Sequence, residues 1–214
     1  MKLYLSSYRM GNHTEELKKL VGKANAKVAV CVNASDGSDD VERKAEGLAR
    51  ELEDMRSLGF EAEQLDLREY FGKSGLAEKM KSYDLIWVRG GNTFLLAKAF
   101  RQSGFDKVFA DQVVSGGLVY AGYSAAFCVL NTSLRGVELV DDKDAQAEGY
   151  EPGEIWEGLG VIDFYPIVHF RSDHHESELV EKEYEFVVKN NIPHKTFKDG
   201  DVYLVNGSKQ RTLS

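Results

Sequence analysis

The sequence has few cysteines and few prolines. Its two cysteines, Cys31 and Cys128, both lie inside apolar runs, where a reduced thiol behaves as a small hydrophobic side chain. This placement indicates free thiols and argues against a disulfide-stapled fold. Only three prolines occur, and no low-complexity or repeated segment is visible. We therefore expect one folded domain over residues 1–214, without a disordered linker.

Positive charge and long apolar runs are also scarce. The chain carries 27 Lys and Arg against 35 Asp and Glu, for a net charge of −8. A nucleic-acid backbone or an anionic membrane surface attracts clustered basic residues, so neither is expected as a partner. The segment Met1–Ser7 turns polar after five residues, and no run reaches transmembrane length. We expect a cytoplasmic protein whose partner is a small molecule, with the choice between monomer and homodimer left open.

Strand and helix patterns alternate through the first 130 residues. Continuous β-branched runs such as Ala26–Ala34, typical of strands buried on both faces, are separated by amphipathic helical segments such as the one that ends near Gly59. Parallel neighbours need long crossovers, which helices supply. The sequence therefore predicts an α/β fold: a doubly wound, mostly parallel sheet with helices on both faces. Ligands of such sheets bind at the carboxyl ends of strands, so the turns after Val88, Gly122 and Val168 are the candidate site.

Ser124 follows a predicted strand within Gly122-Tyr123-Ser124-Ala125-Ala126 and begins a predicted helix. A serine between a strand and a helix, flanked by small residues, is typical of a nucleophile elbow. The unpaired N–H groups of the helix start, such as that of Ala125, face a developing oxyanion. The glycine turn that contains Gly91, after the predicted strand Tyr83–Val88, is the candidate for the second donor.

A serine nucleophile needs a base and a carboxylate that orients the base. His169 is the one histidine of five at the carboxyl end of a predicted buried strand beyond the serine, Val161–Phe170. Asp199, in the turn before the last predicted strand, is placed in the chain to supply the carboxylate. Glu138 and Asp141 are alternatives for that third position.

Three stretches of the chain carry a family resemblance. They are Val88–Phe94 (VRGGNTF), Tyr120–Ala125 (YAGYSA) and Val168–Phe170 (VHF), and together they resemble the peptidase E, or aspartyl dipeptidase, family in order and rough spacing. The resemblance implies a fold similar to class I glutamine amidotransferases and a serine-type peptidase that hydrolyses short peptides without a metal or organic cofactor.

The resemblance also implies a role for individual residues. Ser124 is the implied nucleophile, His169 the base and Asp199 the third member, with the amides of Gly91 and Ala125 as oxyanion donors. The residues expected to contact substrate are Asn92, Thr93, Tyr123 and Arg171. The sequence departs from the family at Ala126, where a glycine is usual, and at Lys198, where the family has proline before the acidic residue.

Three other interpretations compete. A member with a weak or inactive site would bind a small peptide or metabolite without cleaving it. The cluster His174, His175 and Glu176 has the residue types of a zinc site, but adjacent helical residues point in different directions, so no metal site is predicted. Cys128 as a thiol nucleophile is disfavoured, because it falls inside the helix after the elbow, where burial keeps a thiol inert.

Overall fold

A computed structural model describes residues 1–214. Its strands are β1 (Lys2–Ser6), β2 (Lys27–Cys31), β3 (Glu61–Gln64), β4 (Leu85–Val88), β5 (Val119–Tyr123), β6 (Tyr165–Ile167), β7 (His194–Thr196), β8 (Val202–Asn206) and β9 (Lys209–Leu213). Seven of them form one sheet with the order β3-β2-β4-β5-β1-β8-β9. Strands β1 to β5 are parallel, whereas β8 and β9 extend the sheet antiparallel beyond β1. The predicted α/β class with a mostly parallel sheet is confirmed.

Helices cover both faces of this sheet. They are α1 (Thr14–Val21), α2 (Val41–Ser57), α3 (Leu76–Met80), α4 (Thr93–Ser103), α5 (Phe105–Val108), α6 (Ala125–Cys128) and α7 (Ser177–Lys189). Successive strand residues point to opposite faces, so Ile86 and Val88 join one apolar core and Leu85 and Trp87 the other. Helices α1 and α2 pack on the smaller core, and α3 to α7 contribute to the larger one. No helix combines the length and apolar character that a membrane span requires.

Two predicted elements differ from the structure. The predicted strand Val161–Phe170 contains only β6, which pairs in parallel with β7 in a separate two-stranded sheet. Pro166, inside β6, cannot donate a ladder hydrogen bond and suits such an edge position. The sequence pattern of residues 69–81 also predicts a helix, but the structure has a short 3-10 turn followed by α3, because Gly72 and Gly75 adopt positive φ angles of 65° and 110°.

Candidate active site

Ser124 lies on a sharp turn between β5 and α6. Its backbone angles, φ 54° and ψ −112°, fall where non-glycine residues are rarely found. The neighbouring glycines make the turn possible: a methyl group at Gly122 would lie 2.3 Å from the Val88 carbonyl oxygen, and one at Gly90 would lie 2.9 Å from the Ser124 Cβ. This is the geometry of a nucleophile elbow, which lifts a serine hydroxyl above the sheet edge.

Ala126, where the resembling family usually has glycine, fits this elbow. Its side chain is fully buried, and its carbonyl oxygen accepts a hydrogen bond of 2.9 Å from the Tyr120 hydroxyl. A methyl group at Gly122 would lie 2.7 Å from the Ala126 Cβ. The additional methyl group of Ala126 is therefore accommodated because residue 122 has no side chain.

The loop after β4 faces the same edge of the sheet. Gly91 has a φ of 152°, and a methyl group there would lie 2.6 Å from the Ala34 carbonyl oxygen, so only glycine fits. Its N–H donates to no backbone carbonyl. The N–H of Ala125 belongs to the first turn of α6, where donors lack intrahelical partners.

His169 and Asp199 form a hydrogen-bonded pair. The Nδ1 atom of His169 lies 2.7 Å from Asp199 Oδ1, and the His169 backbone N–H donates to Ser7 Oγ at 2.8 Å. Ser7 also lies within 3.1 Å of Asp199 Oδ1, and the Asp199 backbone N–H donates to Ser172 Oγ. Burial raises the pKa of Asp199, but the hydrogen bonds from His169 and Ser7 and the charge of the imidazole outweigh it, so the pKa lies below its usual range.

The alternative carboxylates have other partners. Asp141 Oδ2 accepts the backbone N–H of Thr93 at 2.8 Å, at the start of α4, and burial raises the pKa of this carboxyl to about 6. Glu138 accepts the backbone N–H of Gly136. Of the three carboxylates considered, the structure brings Asp199 alone into hydrogen-bond contact with His169.

The serine turn, the glycine loop after β4 and the imidazole of His169 open into one cleft of about 410 Å³ at the carboxyl ends of β1, β4 and β5. Ser124, Gly91 and His169 line it together, although no hydrogen bond joins the Ser124 hydroxyl to the imidazole. Such contacts are often long before substrate binds.

The imidazole of His174 lies parallel to that of His169, with ring centroids 3.8 Å apart and planes inclined by 8°. Burial and the neighbouring His169 lower the pKa of His174, which favours its neutral form.

The model of peptidase family S51 matches residues 4–213 of this sequence. The chain belongs to peptidase family S51. Among curated relatives, an uncharacterized peptidase of Listeria monocytogenes is 28% identical over 121 residues, which are 55% of either chain. An uncharacterized peptidase of Pasteurella multocida is 27% identical over 95 residues, or 44% of either chain. The match thus spans about half the length of these relatives.

Two solved structures share the fold of this S51 protein over 99% of its length. One is a candidate peptidase E protein of Listeria monocytogenes, with a TM-score of 0.73, 20% identity and 97% of that chain covered. The other is a peptidase from an acI-B1 actinobacterium, with a TM-score of 0.70, 17% identity and 86% of that chain covered. At these identities the likeness establishes the fold.

Four arginines line the cleft of this S51 member: Arg9, Arg43, Arg50 and Arg89. Arg89 is the most enclosed, because Gly47 in α2 leaves room for it: a methyl group at Gly47 would lie 2.5 Å from Arg89 Nη1. The Arg89 side chain donates to Ser35 Oγ at 3.0 Å, and its Nε lies 3.7 Å from the buried Glu51 without a hydrogen-bond partner. These four arginines form an arginine wall that faces the carboxylates Glu46, Asp141 and Glu176 of the same cleft. Arg9 is paired with Asp54 at 3.0 Å.

The structure places the four predicted substrate contacts differently. Asn92 and Tyr123 line the cleft, although the Tyr123 hydroxyl donates to Glu51 at 2.7 Å. Thr93 is buried at the start of α4 and does not line the cleft. Arg171 also lies outside it, because its guanidinium is exposed and pairs with Glu181 at 3.0 Å. The expected substrate contacts of Thr93 and Arg171 are therefore not supported by their positions.

Three residues in the cleft or buried beneath it were missed from the sequence. Ser7 directly follows β1, and its position at a strand end was the available signal. Glu51 lies in the middle of α2, where it accepts the Trp87 Nε1–H at 2.8 Å beneath the cleft. His174 has no predicted role at the site, yet its ring lies against His169.

Proposed function

We propose that this S51 protein is a serine peptidase that hydrolyses short peptides through an acyl-enzyme on Ser124. The observation that carries the proposal is one cleft lined both by a serine on a strained strand-to-helix turn and by His169, whose buried imidazole is hydrogen-bonded to Asp199. Membership of family S51 supports the same chemistry.

Each group has a role in the proposed reaction. The Nδ1–H of His169 donates to Asp199, so Nε2 carries the lone pair and acts as the base. Nε2 takes the proton of the Ser124 hydroxyl while Ser124 Oγ attacks the peptide carbonyl carbon. The amides of Gly91 and Ala125 donate to the oxyanion. The imidazolium returns its proton to the leaving amine. Water, deprotonated by His169, then hydrolyses the ester and restores Ser124.

The shape and charge of the cleft favour a short, acidic peptide. A volume of about 410 Å³ accommodates a dipeptide rather than a folded segment. Arginine forks bind carboxylates in a bidentate manner, and the Arg89 side chain lines the cleft. We infer that this wall binds a carboxylate of the substrate, either a side chain or the peptide carboxyl terminus.

A second function, binding without cleavage, remains a candidate because the Ser124 hydroxyl is not hydrogen-bonded to His169. A fluorophosphonate probe separates the two functions. Stoichiometric labelling of Ser124 supports the peptidase, since only an activated serine reacts readily. Complete lack of labelling, together with measurable peptide binding, supports the second function.

The decisive experiment is hydrolysis of a dipeptide panel that contains acidic and neutral residues at either position. Wild-type turnover should fall by at least about 10³-fold in Ser124→Ala. Ser208→Ala is the matched control, because Ser208 is exposed in the turn between β8 and β9. Turnover that survives Ser124→Ala unchanged removes the nucleophile assignment.

A further inference from the structure

The loop between β6 and α7 brings two potential metal ligands beside His169. A nitrogen of His169, a nitrogen of His174 and a carboxylate oxygen of Glu176 all lie within 4.8 Å of one another. His174 Nδ1 is 3.6 Å from Glu176 Oε2. Both imidazoles are largely enclosed, with side-chain exposures of 3% for His169 and 9% for His174. The cluster therefore holds its nitrogen donors away from bulk water.

The environment of His169 suits a metal ligand. Its Nδ1 is held by the Asp199 carboxylate, so the lone pair of the neutral ring is on Nε2. Metal-bound histidines commonly present one nitrogen to the ion while a carboxylate holds the other, which fixes the tautomer and raises the basicity of the ligand. The pair proposed to activate Ser124 is thus also arranged for coordination.

We propose that the cleft binds one Zn²⁺ ion through His169, His174 and Glu176, with a fourth position open to water. Two imidazoles and a carboxylate form a ligand set that suits zinc. The ligand charges leave a net charge of about +1 on the occupied site. The arginines of the cleft are not part of this ligand set. They come from α2 and from the loops after β1 and β4, whereas all three ligands come from the loop after β6.

Binding requires a local rearrangement. Bonds of about 2.0–2.2 Å in a tetrahedral site bring ligand atoms to about 3.3–3.6 Å from one another, closer than the present 4.8 Å limit. The parallel imidazoles must also tilt, since a bound ion lies near the plane of each ring. His174 and Glu176 are on the loop that precedes α7, so side-chain rotation there closes the site without movement of the sheet.

Zinc at this position inhibits the proposed peptidase. Coordination occupies the His169 Nε2 lone pair that would accept the Ser124 proton, and no bond is made or broken in the chain. The inhibition rests on the proposed function, whereas the binding does not. Direct measurement of binding therefore tests the site even if no peptide is hydrolysed.

The experiment is calorimetric titration of ZnCl₂ into the full chain after treatment with EDTA and removal of the chelator. One ion should bind per chain, and His169→Ala, His174→Ala and Glu176→Gln should each weaken binding by about 10- to 100-fold. His194→Ala is the matched control with unchanged affinity, because His194 lies in β7 and does not line the cleft. Circular dichroism of each variant verifies that it is folded.

Several outcomes overturn the proposal. Absence of one-to-one binding to the wild-type chain does so, as does equal affinity in the three ligand variants. Loss of binding in His175→Ala with no change in His169→Ala assigns the ion to the loop alone and contradicts the role of His169.

If the dipeptide panel identifies a substrate, zinc should inhibit its hydrolysis and EDTA should restore it. The His174→Ala variant should require about tenfold more zinc for the same inhibition. Persistent activity in zinc-saturated protein contradicts the inhibition while leaving the peptidase assignment intact.

Discussion

At the scale of single residues, His169 is held by contacts from three parts of the chain. Asp199 binds its ring, Ser7 accepts its backbone N–H, and His174 stacks on its face. Its φ of 56° is unusual for a residue with a side chain. The surrounding contacts offset this strain and hold the imidazole in the cleft.

Replacement of Asp199 tests the carboxylate assignment. Asp199→Asn keeps the shape but stabilises the wrong imidazole tautomer, and the corresponding change in other triads costs about 10⁴ in kcat. We expect kcat to fall by about 10³–10⁴ with little change in KM, as measured by steady-state hydrolysis of the best dipeptide. Glu138→Gln is the control, since Glu138 does not contact His169. A larger loss in Glu138→Gln than in Asp199→Asn contradicts the assignment.

Gly47 tests the arginine wall. The added methyl group of Gly47→Ala would lie 2.5 Å from Arg89 Nη1 and must displace the guanidinium. We expect KM for acidic dipeptides to rise by about tenfold, while KM for neutral dipeptides is unchanged, because one charged hydrogen bond contributes about 1.5–3 kcal/mol. An equal effect on both substrate classes means that Arg89 does not select the acidic group.

At the scale of elements, α7 carries a buried carboxyl. Glu183 is 3% exposed and accepts a hydrogen bond of 2.6 Å from the Tyr165 hydroxyl in β6. Burial raises the pKa of Glu183 from 4.5 to about 8, and the nearby carboxylates Asp141, Glu176 and Glu138 add to the shift. The folded chain therefore keeps Glu183 protonated at neutral pH.

This carboxyl makes stability depend on pH. Below its ordinary pKa of 4.5 the group is protonated in both states, and between 4.5 and about 8 unfolding releases a proton, so its contribution to the free energy of unfolding falls as pH rises. Glu183→Gln removes this dependence. We expect the variant to gain stability relative to wild type from pH 5 to pH 8, by a few kcal/mol. Urea unfolding at a series of pH values measures the difference, and a difference that does not change with pH refutes the expectation.

At the scale of the whole molecule, both cysteines belong to the larger core. Cys31 and Cys128 are buried and unpaired, as the sequence indicated. Burial raises the pKa of Cys31 to about 12 and that of Cys128 well above its usual value. Neither thiol is available as a nucleophile in the folded chain.

The thiols should therefore report on global unfolding. We expect a disulfide reagent such as DTNB to modify neither cysteine under native conditions and both in guanidinium chloride, because thiolate formation needs exposure. Dithiothreitol should leave Tm unchanged. Rapid labelling of one thiol in the native protein, at a rate independent of stability, contradicts this burial.

The sequence by itself determined the features that depend on local pattern. Continuous apolar runs predicted the parallel strands, and small residues around Ser124 predicted the elbow, because strand period and turn crowding are properties of neighbouring residues. The short strands β6, β7 and β9 were missed or misjudged, since segments of three to five residues are too short to show a clear period.

Only the tertiary structure decided which distant residues meet. The sequence left Asp199, Glu138 and Asp141 as alternatives, and the fold brings Asp199 to His169 while Asp141 binds the start of α4. Arg171, expected at the substrate, faces Glu181, whereas the arginine wall is formed by α2 and strand ends. These positions follow from how helices pack across the sheet, and side-chain contacts between elements far apart in the chain leave no periodic signal in the sequence.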